Sequence, residues 1–488
     1  MIAARRRDAL GVLAVALLVR LAVVAWAHGR FPAAEDGHYY DVLARRLASG
    51  AGYTWPWPDG TVTYAALYPV GYPAMLALAY AAFGASVGVA MGLNALLGAV
   101  GAWAAYRLAD DSAGLRGEHS SPRWRPLTAG LVVALHPALV PYTAAVMTEG
   151  VTASLLLLAT AIAATVRTSG RPWRWTVGLA VVLGIATLVR PQSLLLAPLL
   201  GALAVPVGGR TPKSHTVGGL ARERLLRALT ATTIALLCVA PWTVRNCERI
   251  HRCALVSVNG GWNLLIGAQT TSGVWEPLVV PPECATVWDE GGKDACFERA
   301  ARRDITASPA AWLGRVPAKI ETTLDYFGAG PWYLHAANPD AFGDQAKLSL
   351  GVVETIACRL LLLGALAAVG RWPGARRPAR STVALLGGLA AVTTHGWIGY
   401  LALIVAVALL GRRAIANAPV IVPVSAGVIA ATVLVHAVFF GAGRYGLVVA
   451  PFVAVLAFVG RESSRRETCQ KRLLRQVAVS VERHVSSL

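Results

Sequence analysis

Twelve apolar runs divide this 488-residue chain from end to end, and they constrain its fold more than any other feature. Hydrophobic residues make up 56% of the chain and charged residues only 15%, far from the composition of soluble globular proteins. The runs lie at residues 9–28, 88–107, 127–143, 149–166, 175–189, 193–208, 227–243, 348–370, 381–394, 396–411, 418–440 and 445–460. Several are shorter than the roughly 20 residues that an upright helix needs to cross a bilayer. The sequence therefore predicts an all-α polytopic membrane protein with about twelve transmembrane helices.

The positions of the basic residues predict how the chain is oriented. The net charge is +19, but most of the Lys and Arg lie in short loops between alternate apolar runs and in the tail. Residues 29–87, by contrast, hold three basic and four acidic residues, and residues 244–347 hold ten basic and twelve acidic. Short basic loops remain in the cytoplasm and attract anionic headgroups. We therefore expect the cytoplasmic membrane, cytoplasmic termini, contacts with membrane lipids, and no nucleic-acid partner.

This alternation of charge also divides the chain into parts. Residues 1–243 are expected to form an N-terminal transmembrane catalytic module, which includes the first outer loop at 29–87. Residues 244–347 form a small mixed segment on the outer (periplasmic or extracellular) side, and residues 348–460 a C-terminal transmembrane module. A basic cytoplasmic tail follows at 461–488.

The apolar stretch 65–84 is ambiguous, because its length suits a membrane span. Counting it as a span would place the basic loop from Arg107 to Arg125 outside, against the charge rule. We therefore expect a helix lying along the outer surface, although an ordinary span with an atypical loop remains an alternative. Four tyrosines are expected near the headgroups, namely Tyr64, Tyr68, Tyr72 and Tyr80.

The outer segment holds four of the seven cysteines. Thiols outside the cytoplasm can oxidise, and four cysteines allow three pairings. Proximity in sequence favours Cys247–Cys253 and Cys284–Cys296. Unpaired or metal-binding cysteines are the alternative, but no spacing with histidine supports a metal site.

Three carboxylates lie where the outer mouths of spans are predicted. Glu35 and Asp36 precede a helix with one apolar face that includes Tyr40, and Glu149 follows the sequence AVMT. One interpretation is purely structural: Glu35 or Asp36 caps the N-terminus of its helix, and Thr148 begins an N-cap box before Glu149. The alternative is a general base, or a divalent metal site formed by Glu35, Asp36 and Glu149.

Three arginines end spans on the same predicted side. They are Arg190 in ATLVRPQ, Arg245 in APWTVRN and Arg444 in GAGRYG. Any single one could simply extend to the headgroups. Three beside carboxylates suggest a site for a phosphate-bearing lipid, because guanidinium matches phosphate oxygens with two parallel bonds.

Other motifs have plainer explanations. Gly441, Gly443 and Gly446 spell GxGxxG, but they lie between two spans rather than between a strand and a helix, so a dinucleotide site is rejected. The histidines in or near spans are more typical of packing or hydrogen bonding than of ligation, and they are His136, His395 and His436.

Six segments occur in an order that resembles a known family. They are AEDGHYYDVLARRLASGAGY, YPVGYPAMLALAYAAFG, MTEG, LVRPQ, APWTVRN with GGWNLLIGAQ, and RYGLVVAPF. Together they resemble the bacterial family 39-type glycosyltransferases of the GT-C membrane superfamily, which also includes protein O-mannosyltransferases and lipid A aminoarabinose transferases. The resemblance spans about residues 5–460.

This resemblance implies the GT-C fold and a reaction. Such enzymes transfer a sugar, usually with inversion, from a polyprenyl phosphate on the outer side of the membrane. The family's acid in the first outer loop would correspond to Asp36, and its second acid to Glu149. Many members have Asp-Glu or Thr-Asp where this chain has Glu35-Asp36, so the choice of base between the two stays open. The arginines that hold the carrier phosphate would be Arg190, Arg245 and Arg444.

The sequence thus predicts a transferase that acts on a polyprenyl-phosphate-linked sugar and a lipid, glycan or protein acceptor. Further candidate substrate-binding residues are Tyr40, Tyr445, Trp262 and Trp275. No cofactor is expected, apart from the open question of a divalent metal ion. A transporter or flippase of lipid-linked sugars is the alternative, since it would use the same arginines but need no base. A structural assembly factor would explain the spans but not the ordered motifs.

Overall fold

The chain folds as a helical bundle, in agreement with the all-α prediction. The structure is a computed structural model that describes residues 2–114, 122–206, 217–374, 376–411, 414–415 and 418–459. The helices of the first half are α1 (Ile2–Ala27), α2 (Asp36–Ala48), α3 (Gly71–Phe83), α4 (Val87–Gly114), α5 (Trp124–Ala134), α6 (Glu149–Thr168), α7 (Pro172–Val189), α8 (Ala197–Leu203) and α9 (Val217–Arg249). Those of the second half are α10 (Gly260–Gln269), α11 (Glu290–Ala307), α12 (Pro309–Gly314), α13 (Val316–Leu324), α14 (Ala329–Ala337), α15 (Asp344–Gly370), α16 (Arg377–Ala391), α17 (Trp397–Ala408), α18 (Ile421–Val438), α19 (Gly443–Gly446) and α20 (Ala450–Phe458). Strands β1 (Thr54–Pro56) and β2 (Val62–Tyr64) form one antiparallel hairpin, with Trp55 opposite Thr63.

Seven helices in the described ranges are long and apolar enough to cross a membrane, so the protein is a multi-pass membrane protein. These helices are α1, α4, α6, α7, α9, α15 and α18. The other five predicted spans coincide with shorter helical segments, namely α5, Pro191–Leu203, α16, α17 and Gly443–Phe458. The count of twelve crossings, the orientation and the four-part division stay predictions. The basic residues of the predicted cytoplasmic loops that fall within 115–121 and 207–216, at Arg412 and Arg413, and beyond 459 lie outside the described residues.

The predicted span at 127–143 is not one helix. Helix α5 ends at Ala134, three residues before Pro137, and Pro141 begins a 3-10 turn at Pro141–Ala144. Proline has no backbone N–H and disfavours a helical residue before it, so the helix cannot continue through this segment. The apolar run therefore predicted one continuous helix where the structure has a helix, an irregular segment and a 3-10 turn.

Two polar side chains satisfy the backbone where this helix is interrupted. Arg20, which is buried in α1, donates to the carbonyls of Ala134 at 2.8 Å and Val133 at 3.2 Å. Asn94 of α4 donates to the carbonyl of Ala145 at 2.8 Å. Away from water, carbonyls freed from a helix need such partners. The interruption is what brings the chain back to begin α6 at the candidate site.

The ambiguous stretch 65–84 forms α3, which has 13 residues and is too short to cross upright. The prediction that its tyrosines face the headgroups is wrong for Tyr72 and Tyr80, which are buried. The Tyr72 hydroxyl donates to Asn94 at 3.0 Å, and that of Tyr80 donates to Asp41 at 2.5 Å. Helix α3 packs against α2, α4 and α7, so these rings form part of the protein interior.

Residues 244–347 form helices α10 to α14 joined by irregular segments. Disulfides join Cys247 to Cys253 and Cys284 to Cys296, the two pairs that proximity in sequence favours. The segment has a small apolar core of its own around Leu265 and Phe297, beside the second disulfide. One isolated bridge pairs Val274 with Gly441, which ties the segment to the loop that carries Arg444.

Candidate functional site

Four charged side chains from distant parts of the sequence meet at one cavity. Asp36 and Glu149 supply the negative charges, and Arg190 and Arg444 supply the positive ones. The cavity has a volume of about 540 Å³, which is typical of sites for small molecules. The structure therefore brings together four of the six charged residues that the sequence singled out.

Arg444 connects the two carboxylates. Its Nη1 donates to Oδ2 of Asp36 at 2.7 Å, and its Nε lies 3.6 Å from Oε1 of Glu149. Arg190 approaches the same Oε1 with its Nη1 at 2.9 Å. The cluster balances two negative against two positive charges, which offsets much of the cost of burying Glu149.

Each carboxylate also accepts a hydrogen bond from a tyrosine. The Tyr68 hydroxyl donates to Oδ1 of Asp36 at 3.2 Å, and the Tyr142 hydroxyl donates to Oε2 of Glu149 at 2.7 Å. Burial, and next the charge of Asp36, raise the pKa of Tyr68, so this phenol stays protonated and remains a donor. The two acids are therefore held in defined orientations before any ligand enters.

Both carboxylates occupy the first position of a helix. Asp36 begins α2 and Glu149 begins α6, where the helix dipole favours a negative charge. The preceding residues, Glu35 and Thr148, make no side-chain cap hydrogen bond. The interpretation of either position as a simple N-cap therefore has no capping contact to support it.

Glu35 is exposed and does not line the cavity. Its φ is 54°, in the left-handed region that a residue with a side chain rarely adopts. The strained turn at Glu35 directs the chain into α2, so that Asp36 rather than Glu35 lies in the cavity wall. The structure separates the two neighbours that sequence alone left equivalent.

Tyr333 of α14 holds the starts of the two helices together. Its hydroxyl accepts the backbone N–H groups of Ala34 at 3.1 Å and Val146 at 3.3 Å. Gly37 permits this close approach, because a Cβ there would lie 2.8 Å from the Val146 carbonyl oxygen and 2.8 Å from the Tyr333 hydroxyl. The separation of Asp36 from Glu149 is thus set by residues that do not themselves line the cavity.

The loop that carries Arg444 is fixed by residues 244–347. The Gly441 N–H donates to the Gly273 carbonyl at 2.8 Å. Gly441 also packs directly on the backbone of Lys319, where a side chain would clash. The GxGxxG pattern therefore reflects close packing of two backbone segments, consistent with the rejection of a dinucleotide site.

Arg245 does not reach the cavity. Its guanidinium donates to the carbonyls of Ala65 at 2.8 Å and Tyr53 at 2.9 Å, and it lies over the Trp242 ring at 4.7 Å from the centroid. The structure thus gives Arg245 a role in fixing the first loop, whereas its position at the end of a span and the family resemblance had both suggested a phosphate site.

Glu290 fixes the same loop from the other side, and sequence reasoning did not single it out. Its Oε2 accepts the backbone N–H groups of Ala66 and Leu67, the latter at 2.8 Å. Burial raises the pKa of the Glu290 carboxyl, and the two backbone donors oppose that shift. Since Tyr68 follows Leu67, this contact positions the tyrosine that donates to Asp36.

The remaining predicted substrate-binding residues also line the cavity. Tyr40, Tyr445 and Trp262 do so from buried or half-buried positions, while Trp275 is 57% exposed at its edge. Trp262 packs edge-to-face on Phe297 at 4.8 Å, so it also belongs to the core of the outer segment. Part of the wall is apolar, with Val189, Leu194, Leu195, Val435 and Phe439.

The acids do not fit the divalent metal site that the sequence left open. Glu35 does not line the cavity, and guanidinium groups already approach Oδ2 of Asp36 and Oε1 of Glu149. No group of three or more His, Cys, Asp or Glu side chains suited to a metal ion occurs among the described residues.

Three residues of the site were not singled out as such from the sequence: Tyr68 and His436 line the cavity, whereas Tyr142 contacts Glu149 without lining it. Tyr142 precedes Glu149 by seven positions across the helix interruption, and Tyr68 was assigned to the headgroups. His436 lines the cavity at the end of α18. Tyr68 lies in the segment YPVGYP and Tyr142 in PYTAAVMTEG, so both are polar residues close in sequence to candidate site residues or motifs. Their contacts with Asp36 and Glu149 depend on tertiary packing, which the sequence does not show.

Comparison with known proteins gives only distant structural similarity. No protein-family model and no curated protein matches the chain. Among solved structures it is similar to ArnT from Cupriavidus metallidurans bound to undecaprenyl phosphate, with 15% identity, a TM-score of 0.38, and coverage of 92% of this chain and 77% of ArnT. The same ArnT in the apo state gives 17% identity, a TM-score of 0.37, and coverage of 93% and 77%. The chain is also similar to the archaeal oligosaccharyltransferase AglB from Archaeoglobus fulgidus in complex with an inhibitory peptide and a dolichol-phosphate. That match has 12% identity and a TM-score of 0.34, and it covers 81% of this chain and 56% of AglB.

Proposed function

We propose that the protein is a polyprenyl-phosphate-sugar-dependent glycosyltransferase of the GT-C superfamily. The observation that carries this proposal is the cluster of Asp36, Glu149, Arg190 and Arg444 at the mouth of a cavity with an apolar wall. Such a cavity offers a base, an anion site and a surface for a lipid chain. The ordered sequence motifs that resemble family 39-type enzymes support the same reaction.

The two arginines suit the phosphate of a lipid carrier. Nη1 of Arg190 and Nε of Arg444 are buried and make no hydrogen bond of good geometry, although both lie within ion-pair distance of Glu149. A phosphate between the two guanidinium groups would satisfy these donors with charge-assisted bonds. The carrier phosphate would thus bind the guanidinium donors of Arg190 and Arg444 that Glu149 does not satisfy.

The apolar part of the wall suits the carrier's hydrocarbon chain. Val189, Leu194, Leu195, Val435 and Phe439 come from the ends of α7 and α18 and the segment that follows α7. These apolar residues line the same cavity as Arg190 and Arg444. A lipid could therefore place its phosphate at Arg190 while its hydrocarbon chain contacts the apolar wall. This arrangement favours a lipid phosphate over a soluble nucleotide sugar.

Asp36 is the proposed base. The acceptor's hydroxyl or amine attacks the anomeric carbon while Asp36 takes its proton, and the bond from that carbon to the phosphate oxygen breaks. The polyprenyl phosphate leaves with the bonding electron pair, and Arg190 and Arg444 stabilise its developing negative charge. Direct displacement of this kind inverts the configuration at the anomeric carbon.

The acceptor, a lipid, glycan or protein, would approach between the first loop and residues 244–347. Trp262 and Trp275 line the cavity from that segment and offer ring faces for a sugar. We place this reaction on the outer face of the cytoplasmic membrane because of the loop charges.

Purified protein in sealed vesicles with a sugar-labelled polyprenyl phosphate tests the proposal. A transferase releases unlabelled polyprenyl phosphate and labels an acceptor. A flippase moves the intact labelled lipid between leaflets without cleaving it, and that result would replace the proposed function. Labelled carrier that stays intact in its original leaflet, across a range of sugars and acceptors, would contradict both.

A further inference from the structure

His436 is a polar residue of the cavity wall that the proposed mechanism does not use. It lies in the last turn of α18, and its side chain is 4% exposed. Its ring stacks on that of Tyr445, with centroids 4.0 Å apart and planes 15° from parallel. The imidazole is therefore fixed in orientation by a ring that itself lines the cavity.

Within the described residues, one nitrogen of this imidazole has a hydrogen-bond partner and the other has none. Nδ1 lies 2.9 Å from the carbonyl oxygen of Phe440, which can only accept, so Nδ1 carries the proton. In the uncharged ring, Nε2 is then a hydrogen-bond acceptor. Nε2 is buried and has no partner within the part of the chain that the structure describes. Buried polar atoms without partners are rare and call for an explanation, such as a ligand.

The position of His436 indicates which ligand group it would meet. The guanidinium groups of Arg190 and Arg444 lie over the same Tyr445 ring, at 5.0 Å and 5.2 Å from its centroid. A phosphate held by these arginines would place the attached sugar within reach of neighbouring side chains. Phosphate and carboxylate oxygens only accept hydrogen bonds and cannot pair with an acceptor nitrogen. A sugar hydroxyl can donate to it.

We propose that Nε2 of His436 accepts a hydrogen bond from a hydroxyl of the carrier-linked sugar, so that His436 selects the sugar-bearing carrier over the bare carrier phosphate. This inference rests on the proposed function, because it takes Arg190 and Arg444 as the phosphate site. It gives the site a means to bind substrate more tightly than the spent carrier, which keeps its phosphate but has lost every sugar hydroxyl. The spent carrier would then leave more readily.

Two substitutions separate the nitrogen atoms of the ring. In His436→Asn the amide nitrogen can replace Nδ1 and keep the bond to Phe440, but nothing replaces Nε2. In His436→Gln the longer side chain can place an amide oxygen near the position of Nε2. Both variants therefore carry an amide side chain at position 436, but only His436→Gln keeps a hydrogen-bond acceptor near the position of Nε2.

The test measures equilibrium binding to wild type and both variants in lipid nanodiscs. The probes are undecaprenyl phosphate and the undecaprenyl-phosphate hexose or pentose that wild type prefers most strongly over it. We expect His436→Asn to reduce this preference about 10-fold, as for the loss of one hydrogen bond, and His436→Gln to retain most of it. Binding of bare undecaprenyl phosphate should stay within about twofold in both variants, which also shows that they fold.

Three results would overturn the inference. The first is a His436→Asn variant that keeps the full preference for the sugar-bearing carrier. The second is equal weakening of both probes, which would mean that the ring acts only by packing on Tyr445. The third is a wild type that binds bare carrier but shows no preference for any sugar-bearing form. Failure of wild type to bind either lipid would instead reject the proposed function, and the inference with it.

Discussion

At the scale of single residues, the site separates side chains that look alike in the sequence. Arg190, Arg245 and Arg444 all end apolar runs on the same predicted side. Arg190 and Arg444 contact carboxylates in the cavity, whereas Arg245 donates to backbone carbonyls of the first loop. The backbone partners of Arg245, Ala65 and Tyr53, are 180 and 192 positions away in the sequence, so sequence patterns could not reveal this difference.

Replacement of Arg190 tests the phosphate site. Arg190→Met removes a guanidinium that lies 2.9 Å from Glu149 and should weaken binding of undecaprenyl phosphate about 10- to 100-fold, as for one charge-assisted interaction. Arg174→Met is the matched control, because Arg174 is exposed near the opposite end of the same helix. Equal affinities of the two variants, measured in nanodiscs, would show that Arg190 does not bind the carrier.

At the scale of helices and loops, the apolar runs predicted most long helices but not where they are interrupted. Pro137 and Pro141 do mark the interruption after α5, and a stricter treatment of proline would have found it. The partners that make it possible, Arg20 and Asn94, could not be assigned from sequence, because each looks like an isolated polar residue in a span. The contact of Glu290 with the first loop could not be predicted either, because residues 244–347 contain many charged residues and nothing in the sequence distinguishes Glu290 from the others.

Replacement of Arg20 tests the support of this interruption. Arg20→Met leaves the carbonyls of Val133 and Ala134 without their guanidinium partner and should destabilise the protein by about 2–5 kcal/mol. Arg7→Met is the control, since Arg7 is exposed on the same helix. Thermal unfolding in detergent should show a midpoint several degrees lower for Arg20→Met only, and equal midpoints would refute this role.

Replacement of Glu290 tests the contact that holds the first loop. Glu290→Gln weakens the acceptor for the Ala66 and Leu67 N–H groups, so Tyr68 should orient Asp36 less well and turnover should fall about 10-fold. Glu283→Gln is the control, because Glu283 is half-exposed in the same segment and, within the described residues, forms an ion pair only with Arg303. A turnover of Glu290→Gln equal to that of the control, with unchanged carrier affinity in both, would mean that this contact does not affect the site.

At the scale of the whole molecule, the account requires one orientation in the membrane. The cavity, the first loop and residues 244–347 lie together, and the loop charges predict that they lie outside. In cells that express the protein with Cys238, Cys358 and Cys469 replaced by Ser, a membrane-impermeant thiol reagent should label Asp340→Cys directly. It should label Arg174→Cys only after permeabilisation. Both positions are exposed, and the reverse pattern would place the site in the cytoplasm.

The most direct test of the central claim compares turnover of wild type with that of Asp36→Asn. Asparagine keeps the shape of Asp36 but cannot accept the acceptor's proton, so turnover of the sugar-labelled polyprenyl phosphate should fall about 10²- to 10⁴-fold. Carrier binding should persist, because Arg190 and Arg444 remain. Asp59→Asn, at an exposed turn of the same loop, should be as active as wild type. Equal turnover of Asp36→Asn and Asp59→Asn would contradict the account.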